Sequence, residues 1–438
     1  MILHSERMAS PRSRYAESQV ANGPLLRVTQ LDTVLFSLYY PTEDGARSSK
    51  SKHYWIPPPL ALTAEGYARF AKINNFFTNH IFTFALWGLA GSTRIPANVD
   101  VPLRTQKHSS GQTSSEYQDK PGKGYPVIVF SHGMASSRTD YTQYCAELAA
   151  RGYIVAAIEH RDGSGPGSVV QVKGQADRNV FHRDIKELQS AKLLDTPELK
   201  KAQLDFRQAE IEETVRVLRE INAGSGDMVF KNNPRTEGSD LEQWRGRLNV
   251  DDMTVGGHSY GATGALQVLR GGPSHALPFK GAIILDPGKS SGPLNDDVRI
   301  PILIIHSNSW SKKHSIFYGQ PHFEVVRELA QNVLKRGHAA WFATSLGTSH
   351  PSVTDAPLIE PTLLSWTTGA KIDVREGVEQ YVRVSDQFLR FQRTGEKTGL
   401  LKVPITHPQY QDDQRSAKLK NSMPEEYRKY WQMHMAPE

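Results

Sequence analysis

Residues 251–270, DDMTVGGHSYGATGALQVLR, hold the motif that decides the fold. Within them Gly257-His258-Ser259-Tyr260-Gly261 has the spacing GxSxG. A strand signal, Met253-Thr254-Val255, runs into the pentapeptide, and the ATGALQVLR that follows is compatible with a helix. Ser259 is therefore expected on a sharp strand-to-helix turn that lifts its hydroxyl above the sheet. In such a turn the residues two before and two after the serine press against neighbouring backbone, where a Cβ would clash, which accounts for Gly257 and Gly261. A serine hydroxyl is a weak nucleophile at neutral pH. It needs a base within hydrogen-bond reach, itself oriented by a carboxylate.

Outward from the turn, short apolar runs occur at Val127–Phe130, Tyr153–Ile158, Met253–Val255, Gly281–Leu285, Ile302–Ile305 and Ala339–Thr344. They are continuous rather than alternating, the habit of parallel strands buried on both faces. Leu204, Ile211, Val215 and Leu218 share a helical face in a Glu/Arg-rich stretch ending before Gly224, and Val378, Val382 and Leu389 form a second stripe. The charged residues of ELKKAQLDFRQAEIEE are read as the solvated face of the first helix. The expected fold is the α/β-hydrolase fold, a mostly parallel central sheet with helices on both faces.

In that fold the acid and then the histidine follow the serine in chain order. The run GAIIL ends in Asp286 before the turn signal Pro287-Gly288, whereas the strand 301–305 ends in His306-Ser307-Asn308-Ser309 with no carboxylate nearby. Asp286 is therefore the expected acid. The run AAWFAT leads into Ser345-Leu346-Gly347-Thr348-Ser349-His350, a small-residue loop that places His350 as the base. His132, His160 and His258 precede the serine, and His306 ends a strand. Asp355 stands five residues after His350 as a back-up carboxylate or as support for that loop. An oxyanion needs backbone N–H donors. Tyr260 supplies one at the turn, and Met134, in Phe130-Ser131-His132-Gly133-Met134, is expected to supply the other. No ligand cluster suggests a metal, and no cofactor is expected.

The chain has 438 residues, and its 52 basic and 46 acidic side chains leave a charge of +6, too diffuse to argue for nucleic acid. The lone cysteine, Cys145, excludes an internal disulfide framework and points to an intracellular, cytoplasmic setting. The N-terminal residues lack the apolar stretch of a signal peptide, Ile2 stands where myristoylation needs a glycine, and no run is long enough to span a bilayer. Three parts are expected: a polar tail over 1–30, one catalytic domain over 31–394, and a polar extension over 395–438 with a short helix near Glu425–Met433. The segment 105–124 reads as a surface loop.

YPVIVFSHGMASSRTDYTQYCAELAARGYIVAAIEHRDGSG, VGGHSYGATGA, GAIILDPG and SLGTSHPSVTDAPLI, taken together, resemble the platelet-activating factor acetylhydrolase family. FSLYYPTEDG, WIPPPLAL and STRIPANVDVPLR are similar to it too, so the resemblance runs with gaps from about Val34 to about Arg393. It implies a serine-dependent, calcium-independent phospholipase acting on the acetyl or the short or oxidised sn-2 ester of glycerophospholipids. Ser259, Asp286 and His350 match its nucleophile, acid and base, and Met134 and Tyr260 its oxyanion positions. The chain departs from the family in lacking the leader or the myristoylation glycine of its animal members, in Pro287-Gly288 after the acid, and in the tail from Gly395. A carboxylesterase or polyester hydrolase of the same fold, and a non-catalytic binding scaffold, are the competing readings.

A lipid enzyme must reach substrate held in an aggregate. Residues 74–91, NNFFTNHIFTFALWGLAG, place Phe77, Ile81 and Phe84 on one helical side with Trp87 or Leu89 flanking it. This fits either a helix lying on a membrane or lipid-droplet surface, as the resemblance implies, or a helix packed in the core.

Overall fold

A computed structural model of the chain describes residues 2–8, 33–105, 124–183, 196–312, 315–362, 368–411 and 423–438. The stretch 106–123, most of the polar loop read from the sequence, lies outside them, as do residues 9–32. Nine strands form one sheet: β1 (Ile2–Met8), β2 (Thr33–Tyr39), β3 (Tyr125–Ser131), β4 (Ile154–Ile158), β5 (Leu248–His258), β6 (Phe279–Leu285), β7 (Ile302–Ser307), β8 (Ala340–Ser345) and β9 (Trp431–Met435). Their spatial order is 1-2-4-3-5-6-7-8-9. The six strands from β4 to β8 pair in parallel, while β1, β2 and β9 are antiparallel to their neighbours. The α/β-hydrolase fold expected from the sequence is the fold of the chain.

Successive residues of each central strand serve opposite layers. Val127, Val129, Ile284 and Ile304 pack with Ile211, Val215 and Leu218 of α4 (Thr196–Glu220), Ala265 of α5 (Tyr260–Gln267) and Val326 and Val333 of α6 (His322–Lys335). Ile128, Phe130, Ile283 and Leu303 face the other way, onto Tyr144 and Leu148 of α3 (Thr142–Ala150) and Val378, Val382 and Phe388 of α7 (Val374–Thr394). Both layers are apolar, hence the unbroken hydrophobic runs in the sequence. Two further helices, α1 (Leu60–Phe70) and α2 (Phe76–Ala90), form a hairpin outside these layers.

Two tails carry more order than their composition promises. Ile2–Met8 pairs with Thr33–Tyr39 along its whole length, so part of the N-terminal tail is sheet. At the other end Glu425–Met433 is not one helix: Glu425–Arg428 makes a single turn, and Trp431–Met435 closes the sheet edge as β9. Gln432 and His434 disguise that strand as a polar tail. Both are buried and bonded, His434 through Nε2 to Thr344 Oγ1 (2.7 Å) and through Nδ1 to the carbonyl of His407 (2.6 Å).

Candidate active site

Ser259 sits between β5 and α5 with φ 56° and ψ −120°, left-handed backbone that a non-glycine residue adopts only when its surroundings impose it. The flanking glycines show what imposes it. A Cβ on Gly261 would stand 2.0 Å from the carbonyl oxygen of Ser131, and one on Gly257 would stand 2.4 Å from that of Gly261. The turn is wedged against the end of β3. The spacing GxSxG recurs at Gly288-Lys289-Ser290-Ser291-Gly292, but there no strand leads directly into Ser290 and no helix follows it.

The three residues expected to act together converge. His350 Nε2 lies 3.1 Å from Ser259 Oγ, and its Nδ1 lies 2.8 Å from Asp286 Oδ2. Asp286, at the end of β6, is held by the backbone N–H of Ser307 (2.6 Å) on one oxygen and by the Ser307 hydroxyl (2.7 Å) on the other. Ser309 Oγ accepts the backbone N–H of His350 (3.0 Å), and the Trp310 indole stacks on the imidazole at 3.9 Å and 10°. So the strand that lacks a carboxylate, β7, supplies the fittings for the carboxylate of its neighbour. With Nδ1–H directed to Asp286, Nε2 is free to accept the serine proton.

Tyr260 opens α5, so its N–H has no intrahelical acceptor. The loop bearing Met134 lies beside the serine, since a Cβ on Gly133 would stand 3.2 Å from Ser259 Cβ. The Tyr141 hydroxyl accepts the Gly133 N–H (3.1 Å) and reaches His258 Nδ1 (2.8 Å). Burial, and then the neighbouring His350, hold His258 well below the usual imidazole range, so it stands neutral against the relay histidine. His258, Asp286 and His350 also offer ligand atoms within 4.8 Å of one another. Both ring nitrogens of His350, and Nδ1 of His258, already have protein partners, which suits a proton relay better than a cation cage. Asp355 makes no bond to the imidazole: it accepts the N–H groups of Thr142 (2.7 Å) and Gln143 (2.9 Å) at the start of α3, and the Trp55 indole N–H (3.1 Å), which ties the segment after His350 to that helix.

Sequence reasoning missed the support beneath this site. The charged stretch of α4 is not simply a solvated face, because Arg207, Glu210 and Glu213 are buried. Arg207 donates to Asp162 Oδ2 (2.8 Å), to Ser164 Oγ (2.7 Å) and to the carbonyl of His132 (2.6 Å), and its guanidinium lies 4.6 Å from the Tyr260 ring centroid. One side chain thus braces both segments expected to carry the oxyanion donors. Burial opposes the charge on Asp162, but Arg207 and Ser164 outweigh it and hold the carboxyl below its ordinary value. Beside it, burial pushes Glu210 up to about 8 and holds His160 well below its usual range, so that contact (2.6 Å) is a neutral pair. Gln203, Arg207, Glu210 and Thr214 are a buried stripe at helical spacing, a spacing that a solvated polar face would show as well.

Phe77, Ile81, Phe84, Trp87 and Leu89 of α2 are all solvent-exposed, from 50% for Leu89 to 76% for Phe77, which settles that this face is not core. Asn75 caps the helix by accepting the N–H groups of Phe77 (3.0 Å) and Thr78 (3.1 Å). Among the described residues no helix is long and apolar enough to cross a membrane.

Comparison with known proteins agrees with this architecture. The chain is 31% identical over 277 residues to platelet-activating factor acetylhydrolase of Canis lupus familiaris, covering 62% of this chain and 54% of that protein. It is 24% identical over 290 residues to the protein of the same name from Gallus gallus, covering 62% and 60%. The chain thus spans little more than half the length of these relatives. A solved ferulic acid esterase from Streptomyces cinnamoneus superposes with a TM-score of 0.51 at 17% identity, over 92% of each chain, and shares the fold. The sequence model of the family described as platelet-activating factor acetylhydrolase, isoform II, matches residues 18–398, and the chain belongs to that family.

Proposed function

We propose that this chain is a serine-dependent, calcium-independent esterase that removes the sn-2 acetyl, short or oxidised acyl group of glycerophospholipids, of the 1-alkyl-2-acetylglycerophosphocholine esterase type. The observation that carries it is the continuous bonding from Ser259 Oγ through His350 to Asp286. Ser259 Oγ attacks the ester carbonyl carbon as its proton passes to His350 Nε2, and Asp286 steadies the imidazolium that forms. The stacked Trp310 face favours the same cation. Negative charge on the carbonyl oxygen is met by the N–H groups of Met134 and Tyr260, each such donor worth ~3 kcal/mol of barrier. The tetrahedral species collapses, the sn-2 oxygen takes the proton from Nε2, and lysophospholipid leaves an acyl-Ser259. Water, deprotonated by His350, attacks that ester and releases the carboxylate.

The family membership and the exposed apolar face of α2 support phospholipid over a freely soluble ester, with Phe77, Ile81, Phe84, Trp87 and Leu89 contacting a membrane or lipid-droplet surface peripherally. The lone cysteine, buried as Cys145, supports an intracellular setting. A panel of phospholipids differing in sn-2 chain, assayed with and without chelator, tests the proposal. Rates falling with chain length and indifferent to chelator are expected. Faster turnover of soluble or polymeric esters would make it a general esterase. Failure of an organophosphate to label Ser259 in well-folded protein would leave a binding scaffold.

A further inference from the structure

A cavity of about 420 Å³ lies beneath the α1–α2 hairpin, and none of Ser259, Asp286 and His350 lines it. Its walls are mostly apolar: Leu62 and Phe70 from α1, Phe82 and Leu86 from the inner side of α2, and Val169 opposite them. Ser137 and Arg138, a few residues beyond Met134, and Ala356 and Ile359, a few beyond His350, complete it. The pocket therefore reaches the two loops that frame the proposed active site and runs outward under the helix whose other face is exposed and apolar. Arg138 is 4% exposed, its NH1 is paired with Glu159 at 2.7 Å, and its Nε is a buried donor without a hydrogen-bond partner. A buried N–H left unpaired is costly, so an acceptor brought in by a ligand would relieve it.

We propose that this pocket holds the non-scissile aliphatic chain of a glycerophospholipid, with the ether or ester oxygen at the head of the chain accepting from Arg138 Nε. This rests on the lipid esterase reading of the Ser259 site. The wall charges favour a neutral oxygen over an anionic head, because Arg138 and Arg235 are outnumbered by Asp140, Glu159 and Glu360. The volume lies in the range of small-ligand sites and is finite, so it accepts methylenes up to a limit.

The test is binding, without turnover, of 1-O-alkyl lysophosphocholines of increasing chain length to the full-length Ser259→Ala protein, each kept below its micelle concentration. Affinity is expected to rise about fourfold per methylene, which is ~0.8 kcal/mol, and then to level off once the pocket is full. Leu86→Trp, on a helix that contributes little to the core, should move the plateau to shorter chains and weaken the longest ligand at least tenfold. Val169→Trp repeats the test from the opposite wall should the first variant fold poorly. Affinity independent of chain length, or a chain-length profile unchanged in a folded Trp variant, overturns the pocket. Because no hydrolysis is needed, a wild-type protein that cleaves no ester would sink the esterase reading while this measurement still judged the pocket.

Discussion

Beneath Ser259 the chain buries polar and charged groups and bonds them: Arg207, Asp162, Ser164, His132, His160 and Glu210 lie inside the protein, each held by another of the group. Along α2 it does the reverse and holds Phe76, Phe77, Phe84 and Trp87 out in solvent. Neither choice is the cheapest way to fold. A buried ion pair such as Arg207–Asp162 is often no more stabilising than apolar residues of the same shape, and an exposed apolar face adds nothing to the core. The two regions depart from the folding optimum in opposite directions. One braces the turn that bears Ser259; the other leaves an apolar face open to the lipid surface proposed above.

The sharpest way to break the comparison is at its rigid end. Ser259→Ala is expected to lower ester hydrolysis by about 10⁴-fold or more while leaving the melting temperature within a few degrees, since only a hydroxyl is lost. Retained activity in that variant would move the chemistry elsewhere. Next in size is Arg207. Arg207→Met strands Asp162 and the His132 carbonyl and should cost about 3–5 kcal/mol of stability. Arg207→Lys keeps the charge and loses the fork, so its effect should fall on geometry. For a soluble ester kcat is expected to drop ~10- to 100-fold with KM little changed, because the donors shift and the binding surface does not. A change confined to melting temperature would reduce Arg207 to structural support.

The polar interior also sets the response to acid. Burial holds His132 down to about 4 and His322 and His434 down to about 3, and it lowers His160, His258 and His306 well below the imidazole range. Folded-state pKa values below the unfolded 6.5 mean that the unfolded chain binds more protons between pH 6.5 and about 4. Their contribution is present above 6.5 and is lost as pH falls through that window. Burial shifts three carboxyls the other way: Asp140 to about 6, Asp355 to about 7 and Glu210 to about 8. Protonated in the fold and ionised in the unfolded chain, they favour the fold over the same window. His182 and His407 are lowered in the same way and Asp240 is raised, so among the described residues eight imidazoles stand against four carboxyls and the acid-labile direction is ahead. Urea unfolding between pH 7 and 5 should show a net loss of stability, of the order of several kcal/mol. A flat or rising profile would mean that the carboxyls dominate.

The same contrast explains what could be read from the sequence. Ser259, Asp286 and His350 each follow a strand whose apolar run announces its end, and the order of such ends along the chain is a one-dimensional signal. Arg207 and Ser307 are invisible that way, because their roles depend on which distant segments the fold lays beside them. In α4 a stripe of buried charge and a stripe facing water have the same period, so helical spacing alone could not tell them apart. Strand β9 was hidden for a related reason: Gln432 and His434 read as solvent-facing until the edge of the sheet supplies their partners. For α2 the spacing was legible and the environment was not, since a stripe of Phe and Ile suits a core as well as a lipid surface.

That last ambiguity leads to the smallest expected effect, at the soft end of the comparison. Phe84 and Trp87 are 75% and 66% exposed, and their rings lie 6.0 Å apart on the outer face of α2. Removing both side chains takes almost nothing from the core, so Phe84→Ala with Trp87→Ala should change the free energy of unfolding by less than about 0.5 kcal/mol. Partitioning onto phosphatidylcholine vesicles should fall about tenfold, the ~1.4 kcal/mol expected when part of two aromatic side chains no longer leaves water. Hydrolysis of a soluble acetyl ester, which needs only the rigid end, should not change. If the vesicle and soluble-ester activities fell together, α2 would be acting through the fold rather than through lipid. If neither moved, the lipid would have to meet the protein on some other face.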